Sequence, residues 1–151
     1  MNSFQLNIHT DGNRSKYTIP PYLQDKFKGP CVLQVIDARL DAPDIENFVL
    51  AVKSSAIFQP NSYDNILDTN SNTLCYLCAE IGNFSKKLSY PSSKLFINNL
   101  PNEFDIYLQV IGDVDRPPQV PIGTVLNNLQ GSRLSLIITV EVLEKSNCGC
   151  E

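Results

Sequence analysis

The chain contains no tryptophan and one histidine, His9, in 151 residues. The first absence removes the Cys, Trp, Cys signature of true immunoglobulin domains. The second argues against a Ser-His-Asp hydrolase, and against a cupin-type metal site, which needs two or more histidine ligands. No G-x-S-x-G elbow compensates. Charged residues make up only 19 %, and Lys86–Lys87 is the one adjacent basic pair among twelve scattered Lys and Arg. With a net charge of -4, a basic stripe for nucleic acid is not expected. No apolar run comes near the roughly 18 residues of a membrane helix, so no membrane insertion is expected. The first residues lack the basic and apolar regions of a signal peptide, which implies cytoplasmic synthesis and reduced thiols.

Alanine is scarce, whereas ten Pro, seven Gly and many Ser and Asn suit short strands joined by turns. The clearest signal is alternation in the last third. In LSLIITVEV (134–142), Leu134, Leu136, Ile138, Val140 and Val142 share one face, as in an outer strand with one dry side. FDIYLQV (104–110) alternates in the same way. Residues 4–9 and 15–19 read as a hairpin about the turn at Asp11, Gly12 and Asn13. Pro20 and Pro21 end it, and residues 22–28 hold one helical turn before Gly29 and Pro30. Residues 31–40 read as a central strand, with Leu33 and Val35 alternating against Val32, Ile36 and Ala38. Further strands are expected at 48–54, 73–81 and 94–98. Residues 55–72 read as a long loop, 82–93 as a polar connector, and 112–132 as an excursion with a helical turn near 123–129. These elements predict an all-β fold, an antiparallel eight-stranded β-sandwich of the jelly-roll type, occupying residues 1–144 with a flexible tail at 145–151.

Candidate chemistry is sparse. Cys75 and Cys78 have the spacing of a zinc or redox motif, but residues three apart in a strand face opposite ways, so both read as buried structural thiols. Cys148 and Cys150 lie on the tail, with disulfide pairing or metal binding left open. His9 falls on the polar face of the first strand. Asp37, Asp41, Asp44 and Glu46 cluster at a strand end, as do Asp113 and Asp115. Calcium ligation and ordinary solvated turns both accommodate them. No cofactor, metal site or enzymatic activity is expected.

The apolar residues in loops say more. Ile57, Phe58, Pro60 and Tyr63 stand in the first long loop, and Val114, Pro117, Pro118, Val120 and Pro121 in the late one. Such side chains either cap the ends of a sandwich or meet a neighbouring subunit. The run LFINNLPNEFDIYL (95–108), the Pro-rich connector and LSLIITVEV (134–142) resemble the closing strands of single jelly-roll capsid proteins, the minor capsid or penton subunits of large double-stranded DNA viruses and virophages. The resemblance implies a non-enzymatic virion protein made in the host cytoplasm. Its partners would be copies of itself, as a pentamer or trimer, and other capsid proteins. The competing expectation is a carbohydrate- or ligand-binding sandwich, for which Tyr76 and Tyr107 are the candidate platform.

Overall fold

The computed structural model describes residues 2–10, 15–41, 48–57, 59–65, 69–79, 85–88, 92, 94–113, 121–126 and 132–143. Twelve strands and one short helix are assigned there: β1 Asn2–Thr10, β2 Ser15–Thr18, α1 Pro21–Lys26, β3 Cys31–Asp41, β4 Phe48–Ser54, β5 Gln59–Asp64, β6 Thr69–Ser71, β7 Thr73–Ala79, β8 Ser85–Leu88, β9 Leu95–Ile97, β10 Glu103–Asp113, β11 Val125–Leu126 and β12 Arg133–Val142. Every strand pairing is antiparallel. The main sheet runs β1-β12-β3-β8-β7-β4-β10-β11, with β2 also on β10 and β9 also on β3, and β5 and β6 form a separate pair.

The fold is all-β with the character of a sandwich. β1, β12 and β3 contribute Leu6, Ile8, Leu33, Val35, Leu136 and Ile138 to a single apolar cluster, and β4, β7 and β10 contribute Leu50, Val52, Cys75, Leu77, Ile106 and Leu108 to the same one. In β12 the burial alternates strictly, so one register fixes which four apolar side chains are inside.

The register explains why β3 departs from the expected phase. Ile137 pairs with Asp37 and Ile138 with Val35, leaving Ile36 as an extra residue. A one-residue bulge reverses the alternation beyond it. Cys31, Leu33 and Val35 are buried before it, and Ala38 and Leu40 after it, so Ala38 lies with Leu33 and Val35 rather than opposite them. Ile36 itself is 46 % exposed.

Other expectations are also corrected. β1 and β2 do not form a hairpin: β1 pairs with β12 and β2 with β10, so the two strands belong to different halves of the fold, and the expected turn at 11–13 lies outside the described residues. β12 is flanked on both sides, by β1 and β3, and is not an outer strand. The stretch 55–72 contains the β5–β6 pair, and the polar connector contains β8. Val125 and Leu126 pair with β10 as a strand and do not form a helical turn.

Pro21 begins α1 at a position whose missing N–H costs nothing, and Gln24 Nε2 donates to the Ile19 carbonyl at 2.6 Å. The helix buries none of its own residues, but Phe27 just after it stacks on Phe4 at 4.5 Å between centroids. Gly29, at φ +100, then turns the chain in a conformation other residues resist, and Leu143 N–H bonds the Pro30 carbonyl. The crossing from β2 to β3 thereby closes the end of the sandwich where β1 begins and β12 finishes.

β3 meets β9 only at residues 31–33 and β8 only at 39–41. In the gap, Ser92 takes the place of a strand. Its Oγ accepts from Val35 N–H at 3.3 Å and donates to the Leu74 carbonyl at 3.1 Å, while its carbonyl accepts from Gln34 Nε2 at 2.9 Å. Ser92→Ala strands two buried backbone groups, so a loss of about 1–3 kcal/mol is expected, measurable as a shift of the urea midpoint at constant slope.

Candidate functional site

The outer face of β4 and β10 is covered, although most of its residues are polar. Lys53 and Ala51 on β4 are fully buried, Gln109 on β10 is buried, and Tyr107 is only 9 % exposed. Gln109 Nε2 donates to the Gly123 carbonyl at 2.9 Å, and Gly123, at φ +99, returns its N–H to the Val110 carbonyl at 2.7 Å. Asn72 Nδ2 donates to the Tyr107 hydroxyl at 2.8 Å. The segments around residues 72 and 121–126 therefore lie back on their own sheet. Tyr107 cannot act as an exposed sugar platform; Tyr76, 42 % exposed, remains on the surface. Asn72 Oδ1 and Gln109 Oε1 are buried without hydrogen-bond partners in this layer.

Of the loop residues offered as subunit contacts, Ile57 belongs to the core at 2 % exposure, so it caps the sandwich rather than presenting a surface. Tyr63 is 66 % exposed on β5. β5 lies beside β9, whose Phe96 is similarly exposed, so strands carrying two large aromatic side chains are neighbours. Pro60 is in β5, with its side chain outside the described residues, and Phe58, Val114, Pro117, Pro118 and Val120 lie outside them altogether.

At the end of the sandwich away from α1, a cleft of about 720 Å³ opens between the two halves. Ile8, Tyr17, Ile106 and Leu134 line it together with Thr10, Ser132, His9, Ser135, Lys16 and Arg133. No sequence motif announces it, because the residues meet only when β1, β2, β10 and β12 come together. His9 Nδ1 is 3.0 Å from Ser135 Oγ, a nucleophile-and-base distance. The two residues are register partners, however, in a β12 whose backbone is engaged by strands on both sides. That leaves no free N–H pair beside Ser135 to stabilise an oxyanion, and the geometry fits a cross-strand pair.

Cys31 and Cys75 are both buried free thiols. Burial raises the Cys31 thiol, partly opposed by a hydrogen bond with the Leu100 backbone, and pushes the Cys75 thiol up from 9.0 to about 12. A folded-state pKa above the unfolded value favours the fold fully below pH 9 and less as the unfolded chain ionises above it. Stability is therefore expected to fall from about pH 9 towards 12, and Cys75→Ala should flatten that fall in urea titrations across this window. Cys78 shares β7, with its side chain outside the described residues, as are Cys148 and Cys150.

Asp37 is exposed, and Asp41 pairs with Arg39 at 3.4 Å; Asp44, Glu46 and Asp115 fall outside the described residues, as does the side chain of Asp113. Among the described residues no three His, Cys, Asp or Glu groups gather in a way that would hold a metal, and no helix is long and apolar enough to cross a membrane. Comparisons with protein-family models and with curated proteins find no match to the chain.

Proposed function

We propose that the chain is a single jelly-roll shell subunit, a non-catalytic protein of a virion that works by assembling with copies of itself and with other shell proteins. One observation carries this reading: the nesting of the strand pairs. Taking β1, β2, β3, β4, β7, β8 with β9, β10 and β12 as first to eighth, the first pairs with the eighth, the second with the seventh, the third with the sixth and the fourth with the fifth. A long hairpin doubled on itself pairs in this way. The third-to-eighth and fourth-to-seventh pairings then roll it into two four-stranded halves. This nesting supports a jelly roll, a fold that serves shell proteins, lectins and cupins.

The three uses separate on side chains. A cupin needs several histidines, and the sole His9 is bonded to Ser135. A lectin built on Tyr107 fails because that ring is covered. A shell subunit needs exposed apolar side chains, and Tyr63, Phe96, Ile122 and Tyr22 supply them.

Light scattering on the purified protein across a concentration series, under reducing conditions, tests the reading. A discrete trimer or pentamer is expected, weakened 10-fold or more by Tyr63→Ala if that ring is an anchor of the contact. A strict monomer at all concentrations overturns self-assembly and makes ligand binding by the sandwich the reading to pursue.

A further inference from the structure

The main sheet has two ends, and they are built differently. At one end, the outer side of β10 is divided between β2, four residues long, and β11, two residues long. That edge is short and carries charge: Lys16 on β2 lies 3.9 Å from Glu103 on β10. Short strands and charged side chains are the usual means by which proteins keep a sheet edge from pairing with another chain.

The other end is β1, and none of these devices is present there. Its nine residues, NSFQLNIHT, include no Lys, Arg, Asp, Glu or Pro. Its pairing with β12 runs from Asn2 to Thr10 without a register shift, so no bulge twists the edge away. Among the described residues no strand pairs with the far side of β1. In an antiparallel ladder every second residue turns both N–H and C=O away from its partner, so about four residues of β1 offer these groups outward.

We infer that the outer edge of β1 pairs antiparallel with β1 of a second copy of this chain, about a two-fold axis through Leu6, joining two main sheets into one. The register follows from the strand itself, since pairing all of Asn2–Thr10 with its own copy centres on the fifth of nine residues. Ser3 then opposes His9 of the second copy, Phe4 opposes Ile8, and Gln5 opposes Asn7. Leu6 meets Leu6. Phe4, Leu6 and Ile8 lie on the core side, so these pairs extend the apolar layer across the axis. Gln5, Asn7 and His9 are exposed on the other face and each can both donate and accept, so they match their own kind. A strand without charge meets no like-charge repulsion on self-pairing, although the chain as a whole is at -4. This contact is independent of the ring contacts of a shell subunit and does not rest on that reading.

A charge-exchange experiment tests it. Gln5→Lys with Asn7→Lys places two lysines against each other twice across the axis, and Gln5→Glu with Asn7→Glu does the same with carboxylates. Both positions face solvent, and circular dichroism melts near wild type establish that each variant folds. In native mass spectrometry and light scattering at low salt, each variant alone is expected to lose the two-fold dimer, with at least 10-fold weaker association. An equimolar mixture is expected to recover a 1:1 complex, because every ammonium of one copy then faces a carboxylate of the other. Wild-type protein that shows no dimer, or variants that associate as wild type does, overturn the inference. A wild-type ring with no two-fold association through β1 overturns it while leaving the shell reading in place. Dimers that depend on β1 with no ring do the reverse.

Discussion

Deleting Ile137 from β12 is expected to unfold the protein, while deleting Ile36 from β3 leaves it folded. Both changes remove one isoleucine from adjacent strands of the same sheet, and composition does not distinguish them. Register does. In β12, Leu134, Leu136, Ile138 and Val140 are inside at 0–1 % exposure. Removal of Ile137 turns Ile138 and Val140 outward and brings Thr139 and Glu141 to the core side, and the match to β1 and to β3 breaks together. Exposing two such aliphatic side chains costs about 3–6 kcal/mol, and a carboxylate in a dry core costs several more. The sum is comparable to the roughly 5–15 kcal/mol that holds a whole domain together. Slipping the strand the other way is no better, since it sends Arg133 and Ser135 inward. Ile36, by contrast, is the unpaired residue of the bulge. Without it, Val35, Asp37, Ala38, Arg39 and Leu40 alternate in and out without interruption, and Asp37 stays opposite Ile137. Circular dichroism and a thermal melt check both variants. A cooperative melt from the Ile137 deletion, or none from the Ile36 deletion, contradicts the register.

The same bulge shows what a sequence conveys and what it withholds. β12 and the dry face of β10 were legible because one uninterrupted alternation sorts their residues by side. β3 was legible as a strand but not in phase, since Leu33, Val35, Ile36 and Ala38 are all apolar and alternation alone cannot say which is the extra one. Pairing partners were the larger loss. Asp11, Gly12 and Asn13 have the residues of a hairpin turn, yet the strands on either side pair elsewhere, because β12, more than a hundred residues on, buries Leu6 and Ile8 beside Leu136 and Ile138. β8 and β11 are two to four residues long, too short for a period to emerge. The covered layer over β10 was hidden for a different reason. Tyr107 and Gln109 are polar and sit where a solvent face is expected, and nothing local announces that Gly123 and Asn72 come back to bond them. Among the loop residues, Ile57 and Tyr63 have the same apolar character on paper, and only the packing separates the cap from the surface.

β10 is thus the strand most completely enclosed, and Phe104 is the residue on which its packing is expected to depend most. The ring is fully buried, in a core that Tyr17 partly covers, and Tyr17 is its register partner on β2. Phe104→Ala removes most of a large side chain from a site held on one side by β2 and on the other by the core. Neither can collapse into the space without breaking ladder bonds, so the cavity persists. Buried Phe→Ala changes cost about 3–5 kcal/mol, and a domain of this size loses about 2–4 °C of melting temperature per kcal/mol. A fall of about 6–20 °C is expected. Tyr22→Ala removes a ring of similar size that is 68 % exposed on α1, and a change within about 0.5 kcal/mol is expected there. Comparing the two separates burial from aromatic content. β2 is only four residues long, so the Phe104 cavity should also loosen its pairing with Glu103, Phe104, Asp105 and Ile106. Amide hydrogen exchange then reads the mechanism: protection falls first in β2 while β12 keeps its own. Uniform loss across both strands would mean that the cavity acts on the whole domain and that β2 is not a separate unit.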